Sequence, residues 1–149
     1  MVKNLVSNGA DVTTKTPDGE TALHIAAARH GHTLISLLIK HGADVHVRDH
    51  AGYTPLTRCL RREVRYSSLE GTYFTAFELI KHGARSPDSF EIIHKHMEHE
   101  IITVGYLVEW WINELEEGKP LTRVPFNVLR EGKANTETYL KELSAAKTK

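Results

Sequence analysis

Cysteine is nearly missing: Cys59 stands alone in 149 residues. No intrachain disulfide can form, so burial and hydrogen bonding must hold the chain together. Asn-x-Ser/Thr is absent, no signal peptide is visible, and no apolar run nears the roughly 20 residues that span a bilayer. Net charge is also lacking, because 19 Lys/Arg balance 19 Asp/Glu, which argues against general affinity for nucleic acid or membrane. No phosphate loop, nucleophile–base pair or paired carboxylates stand out, so no catalytic activity is expected. Cys59 reads as a small core residue, since nothing near it supplies a base. These absences place the protein inside the cell, in cytoplasm or nucleus, with no cofactor.

What is present is enough for one folded domain: 40% of the residues are apolar, well outside the disordered range. The neutral total hides three blocks. Residues 1–87 carry 11 Lys/Arg and 8 Asp/Glu, residues 88–117 one Lys and 8 acids, and residues 118–149 7 Lys/Arg and 3 acids. A strongly acidic block therefore lies between two mildly basic ones.

The chain also repeats itself. Asp18-Gly19-Glu20-Thr21-Ala22-Leu23-His24 returns as Ala51-Gly52-Tyr53-Thr54-Pro55-Leu56-Thr57, and Gly9-Ala10-Asp11-Val12 returns as Gly42-Ala43-Asp44-Val45, each 33 residues on. A period of that length with T-x-L-H and G-A-D-V resembles the ankyrin repeat, a turn and two helices per unit. The resemblance covers residues 2–87 by motif and 88–117 only by helix count. It implies an all-α ankyrin solenoid, helix-turn-helix units with β-hairpin loops, ending in a divergent helical cap.

The expected units are a partial repeat over 1–16, a complete one over 17–49, and a third over 50–87. A divergent cap over 88–118 and a loop with a short helix over 119–149 follow. In the second unit Thr21 suits a helix N-cap, Leu34, Ile35, Leu38 and Ile39 share one helix face, and Gly42 suits the left-handed residue that ends it. The resemblance gives His24 the task of tying one repeat's backbone to the next. In the third unit Thr57 replaces that histidine, which puts the tie in doubt. Gly83 follows Gly42 by 41 residues, so eight residues are inserted, within about 61–73. They either lengthen the inner helix or form a protruding loop, and the outer helix is expected to resume at Phe74 or Thr75. The first unit begins inside an outer helix, at Val2, Leu5 and Val6. Either the array is longer, or another surface covers that end. The chain is then a monomer, part of a longer array, or a dimer through the incomplete repeat.

Beyond Pro87, apolar residues spaced by three and four from Phe90 to Leu115 predict helix, as two helices broken near 96–100 or as one long one. Glu114, Glu116 and Glu117 at its end oppose the helix dipole and call for a basic partner. Leu121, Val124, Phe126, Val128 and Leu129 should fold back on the cap or form a turn of helix. Asn135 or Thr136 should cap a last short helix, with 144–149 frayed.

His94, His96 and His99, with Glu98 and Glu100, invite a metal reading, but without a cysteine or a H-E-x-x-H pattern a solvated face is the stronger one. The resemblance points to protein recognition: scaffold, adaptor or inhibitor. In the family, hairpin tips and inner helices line a concave groove. The matching positions are Lys15, Asp18, Glu20, Arg29, Arg48, His50, Tyr53, Arg61 and Arg62, to which the inserted segment adds Arg65 and Tyr66. Arginine and tyrosine are favoured interface anchors. Arg58, Arg61, Arg62 and Arg65, with Arg29 and Arg48, make a basic cluster, and the plain alternative for all of these residues is an ordinary charged surface. The expected partner is another protein with an acidic segment. Nucleic acid is disfavoured by the acidic block. An alternative is a free-standing viral or bacterial ankyrin protein that blocks a host regulator, with the C-terminal segment as a second docking element.

Overall fold

The computed structural model describes residues 7–29, 31–60, 69–85, 99–131 and 133–147. Among them are seven helices and no strand. Helix α1 (Ala22–Ala28) is short and alanine-rich, with Leu23, Ala26 and Ala27 buried. The small side chains let its neighbours approach closely. Helix α2 (His32–Lys40) follows Gly31 and buries Ile35 and Leu38, the centre of the predicted apolar face. Helix α3 (Pro55–Leu60) opens on proline, whose missing N–H costs nothing at a first helical position. Helix α1 packs on α2 and α3, α2 and α3 both pack on α4 (Leu69–Lys81), and α3 and α4 pack on α5 (His99–Glu116).

Helices α2, α4 and α5 end alike. Gly42, Gly83 and Gly118 have φ of 100°, 98° and 78°. Each donates to the carbonyl three residues back (Ile39, Ile80, Leu115), and the next N–H reaches five back, Ala43 to Leu38, Ala84 to Leu79 and Lys119 to Glu114, at 2.9–3.1 Å. This paired closure satisfies two carbonyls that the helix end would leave open. Gly118 lies 35 residues after Gly83, so the divergent segment keeps the punctuation of the repeats after losing their motif.

Helix α4 begins at Leu69 rather than at Phe74 or Thr75. Its added turn buries Thr72 and Tyr73, so part of the insertion extends the outer helix, a solution the sequence reading did not consider. Residues 61–68, with the rest of the insertion, lie outside the described residues. So do Val2, Leu5 and Val6, and residues 96–98 of the predicted break near 96–100, whose last two residues are already in α5. On α1, Ile25 is a large apolar side chain left 37% exposed.

The segment after Gly118 does both things expected of it. It folds back, burying Val124 and Leu129, and it forms helix α6 (Phe126–Arg130). Two side chains hold it through its backbone: Trp111 Nε1 donates to the Thr122 carbonyl and Tyr73 Oη to that of Val124, both at 2.8 Å. Beneath it lie the rings of Tyr73, Phe74, Phe77 and Trp111, with neighbouring centroids 5.1–6.4 Å apart, and Arg123 sits 5.2 Å above Phe77. Lys119 supplies the basic partner that the acidic helix end called for. Its Nζ lies 3.0 Å from Glu114 and 2.6 Å from Glu117. Helix α7 (Lys133–Lys147) starts before the proposed caps and runs past Ser144. Thr136 is buried inside it, with its hydroxyl 3.4 Å from the Val128 carbonyl, and α7 packs on α5 and α6.

Candidate protein-interaction face

Two hairpin tips of the same design stand side by side. In the first, the Thr16 N–H donates to Glu20 O at 2.9 Å, Gly19 N–H to Thr16 O at 2.8 Å, and Glu20 N–H to Thr16 Oγ1 at 3.2 Å. In the second, Asp49 N–H donates to Tyr53 O at 3.0 Å and Gly52 N–H to Asp49 O at 2.9 Å. Asp49 Oδ1 takes the N–H groups of Ala51 and Tyr53 at 3.0 and 2.9 Å. The tips are joined directly, His50 N–H donating to Asp18 O at 2.9 Å.

That junction depends on glycine. A Cβ on Gly19 would lie 2.9 Å from the His50 nitrogen and 2.6 Å from its ring, at a φ of +79°. Gly42 has φ +100° but open space around it. Gly42→Ala should therefore lose only the left-handed penalty, ~1–2 kcal/mol. Gly19→Ala should lose at least about 1 kcal/mol more, because the tips must also part. Urea midpoints compare the two, and equal losses would mean that the junction is not tight.

Below the tips, His24 links the units. Its Nδ1 accepts from the Thr21 N–H at 3.2 Å, closing the start of α1, and its Nε2 lies 2.8 Å from the Tyr53 carbonyl. The tie expected from the resemblance is present, and burial pushes the imidazole's pKa below its usual value. At the corresponding place in the third unit, Thr57 turns to its own helix start. Thr54 Oγ1 accepts the Thr57 N–H at 3.3 Å, and the two hydroxyls lie 3.1 Å apart.

The structure corrects the reading of the basic cluster. Arg58 reaches inward, with Nε and Nη2 each 2.6 Å from Asp49 Oδ2 and Nε 3.5 Å from Glu20. Its guanidinium lies 5.1 Å from the Tyr53 ring centre. It spends its charge on two hairpins, and Glu20 and Tyr53 are partly committed to it. Lys15, Asp18, Arg48 and His50 are exposed on the tips, while Glu20 and Tyr53 are half-buried. Arg48 also donates to Gly52 O at 2.9 Å. Arg29 is exposed at the far end of α1, and among the described residues no contact joins it to the tips. Arg61, Arg62, Arg65 and Tyr66 lie outside the described residues. Sequence reasoning missed Asp49, although it stands 33 residues after Thr16 and performs the same turn-closing task.

Among the described residues, no group of three or more His, Cys, Asp or Glu could hold a metal ion, and no helix is long and apolar enough to cross a membrane. The candidate His94 and His96 lie outside them, as does the side chain of His99.

Stacked helix pairs with tied hairpin tips define a helical repeat array, a class built for recognition. The ankyrin-repeat family model, in three copies, matches residues 1–84, and the chain belongs to the ankyrin repeat family, whose arrays are protein-interaction modules. The chain is similar to human protein phosphatase 1 regulatory subunit 27, 50% identical over 40 residues, 27% of this chain and 26% of that protein. It is also similar to the rice potassium channel KOR2, 41% identical over 56 residues, and to the Arabidopsis potassium channel AKT1, 36% over 55 residues. Those matches cover 38% and 37% of this chain but 8% and 6% of the channels. The chain thus spans about a quarter of the phosphatase subunit and under a tenth of either channel.

Proposed function

We propose that the protein is a non-catalytic intracellular adaptor or inhibitor that binds a partner protein across its hairpin tips and the inserted segment. Lys15, Asp18, Arg48 and His50 would make first contact, supported by Glu20, Tyr53 and Arg29. Arg61, Arg62, Arg65 and Tyr66 would extend the surface along the insertion. The observation that carries this reading is the rigidity of the tips. They are bonded to each other, to His24 and to Arg58, so little side-chain and loop entropy remains to be lost on binding. The folded-back segment from Lys119 to Arg130 also covers part of the outer helices, which favours the opposite face. We place the units at 1–16, 17–49, 50–87, 88–118 and 119–149.

The expected partner presents an acidic segment toward Lys15, Arg29, Arg48 and the inserted arginines. The name of the human relative adds one partner class, a protein phosphatase catalytic subunit. Two charge-reversal variants test the face: Lys15→Glu/Arg29→Glu/Arg48→Glu on the tips and helix, and Arg61→Glu/Arg62→Glu/Arg65→Glu on the insertion. Affinity capture followed by titration of the purified partner, with the phosphatase catalytic subunit as a defined first probe, should show at least about tenfold weaker binding for each variant. Binding retained by both would move the site to the acidic cap or the C-terminal segment.

A further inference from the structure

Among the described residues Ile25 is the one large apolar side chain left exposed. An exposed isoleucine alone is ordinary. Its setting is not, and the repeat shows where it stands. Helices α1 and α3 open 33 residues apart, at Ala22 and Pro55, so Ile25 corresponds to Arg58. Arg58 rises from α3 to the hairpins, with Asp49 at 2.6 Å and Glu20 at 3.5 Å. One unit back, the same helix position is Ile25, and the residue standing for Asp49 is Thr16, next to Lys15. Where the third unit has a cation held by two carboxylates, the second has a bare aliphatic side chain. Ala22, three residues earlier on that face, is half-buried and too small to cover it.

Positive charge stands on either side. Lys15 lies close enough to α1 to act on His24, the neighbour of Ile25. Arg29 is exposed and follows Ile25 by four residues, on the same helix face. Ile25 thus fills the interval between Arg29 and the tips, which no direct contact bridges.

We propose that Ile25 is the apolar anchor of this face, taking an aliphatic side chain from an extended acidic segment whose carboxylates meet Lys15 and Arg29. The assignment rests on the reading of the tips as a surface for an acidic protein partner, and it names the partner's pattern. Residues four apart on a helix stand about 6 Å from each other. Side chains two apart on an extended chain share one side and lie roughly 6.7 Å apart. A segment of the form acid–x–aliphatic–x–acid therefore sets its central side chain on Ile25 while one acid reaches Arg29 and the other turns toward Lys15. Apolar burial drives the contact, and the flanking charges set its register.

The test uses the intact chain with labelled isoleucine methyls and two peptides. One is acetyl-Glu-Ser-Leu-Ser-Glu-amide, and the other has serine in place of leucine. Titration followed at the Ile25 methyl and the Arg29 amide should show about tenfold tighter binding of the leucine peptide. Ile25→Ala should erase that preference and leave binding of the serine peptide as it was. Alanine is the best helix former, so this exposed substitution keeps α1. Ile25→Leu should retain the preference, and Lys15→Glu/Arg29→Glu should lose both peptides. Equal binding of the two peptides would overturn the anchor, as would a leucine preference that survives Ile25→Ala. Either result leaves the acidic-partner reading of the tips standing. No shift with either peptide would overturn the anchor and that reading together. An Ile25 methyl that moves with protein concentration alone would assign the side chain to a contact between two copies, and the anchor would be wrong.

Discussion

Replacing Trp111 by alanine should lower stability by about 4 kcal/mol, near the upper end for a buried aromatic. A chain of this size has roughly 10 kcal/mol to lose, so the variant should show a clearly lower urea midpoint by far-ultraviolet circular dichroism. The size of the loss follows from position. The ring is fully buried, meets Tyr73 and Phe77 at 5.6 and 5.2 Å, and its indole N–H holds the Thr122 carbonyl. Alanine removes the ring contacts, opens a cavity between α4 and α5, and takes the indole donor from the part-buried Thr122 carbonyl. Trp111→Phe keeps most of the apolar contact and should lose about half as much. Tyr73→Phe removes only the hydroxyl on Val124 and should lose about 1 kcal/mol. If alanine at 111 lost less than about 1.5 kcal/mol, the aromatic layer would not be what fastens the C-terminal segment.

The second large effect is expected at Asp49. Its side chain is fully buried beside an Arg58 that is 30% exposed, and it accepts from Ala51, Tyr53 and Arg58. Asp49→Ala strands two backbone donors and one guanidinium at once. Breaking a buried pair by removing one partner costs about 3–5 kcal/mol, and the partial exposure of Arg58 puts the expectation near the lower figure, about 3 kcal/mol. Asp49→Asn keeps an acceptor for the two N–H groups and loses only the charge, so about half that loss is expected. A matching loss in the asparagine variant would assign the stability to the ion pair. A near-neutral one would assign it to the turn. Denaturant titration of all three proteins separates these outcomes.

Much of this architecture was legible because the ankyrin resemblance is carried by residues with fixed duties. Gly42 and Gly83 announce helix ends, Thr21 and Pro55 helix starts, and His24 a tie between units, each through local backbone chemistry. A last helix was expected after Asn135 or Thr136, but the start of α7 at Lys133 and the early start of α4 were not legible. They depend on Thr136 and Tyr73 being turned inward against segments far away in sequence, and no local signal records that. The binding face was only half legible. Lys15, Asp18, Arg48 and His50 stand on the tips as expected, but Arg58 looked like one more surface cation. A charge cannot be read as spent until its counter-charge has a position, and Asp49 lies nine residues earlier on another element.

The repeated left-handed glycine at the end of α2, α4 and α5 separates length from geometry. The chain distance between successive closures is 41 residues and then 35, yet each helix leaves by the same pair of hydrogen bonds. Extra residues are absorbed between closures, and their entropy grows only slowly, by about 0.6 kcal/mol for each doubling of a flexible loop. The closures of α2 and α4 therefore do not depend on how many residues separate them, and a chain-length change between closures is the place to try grafting a new specificity.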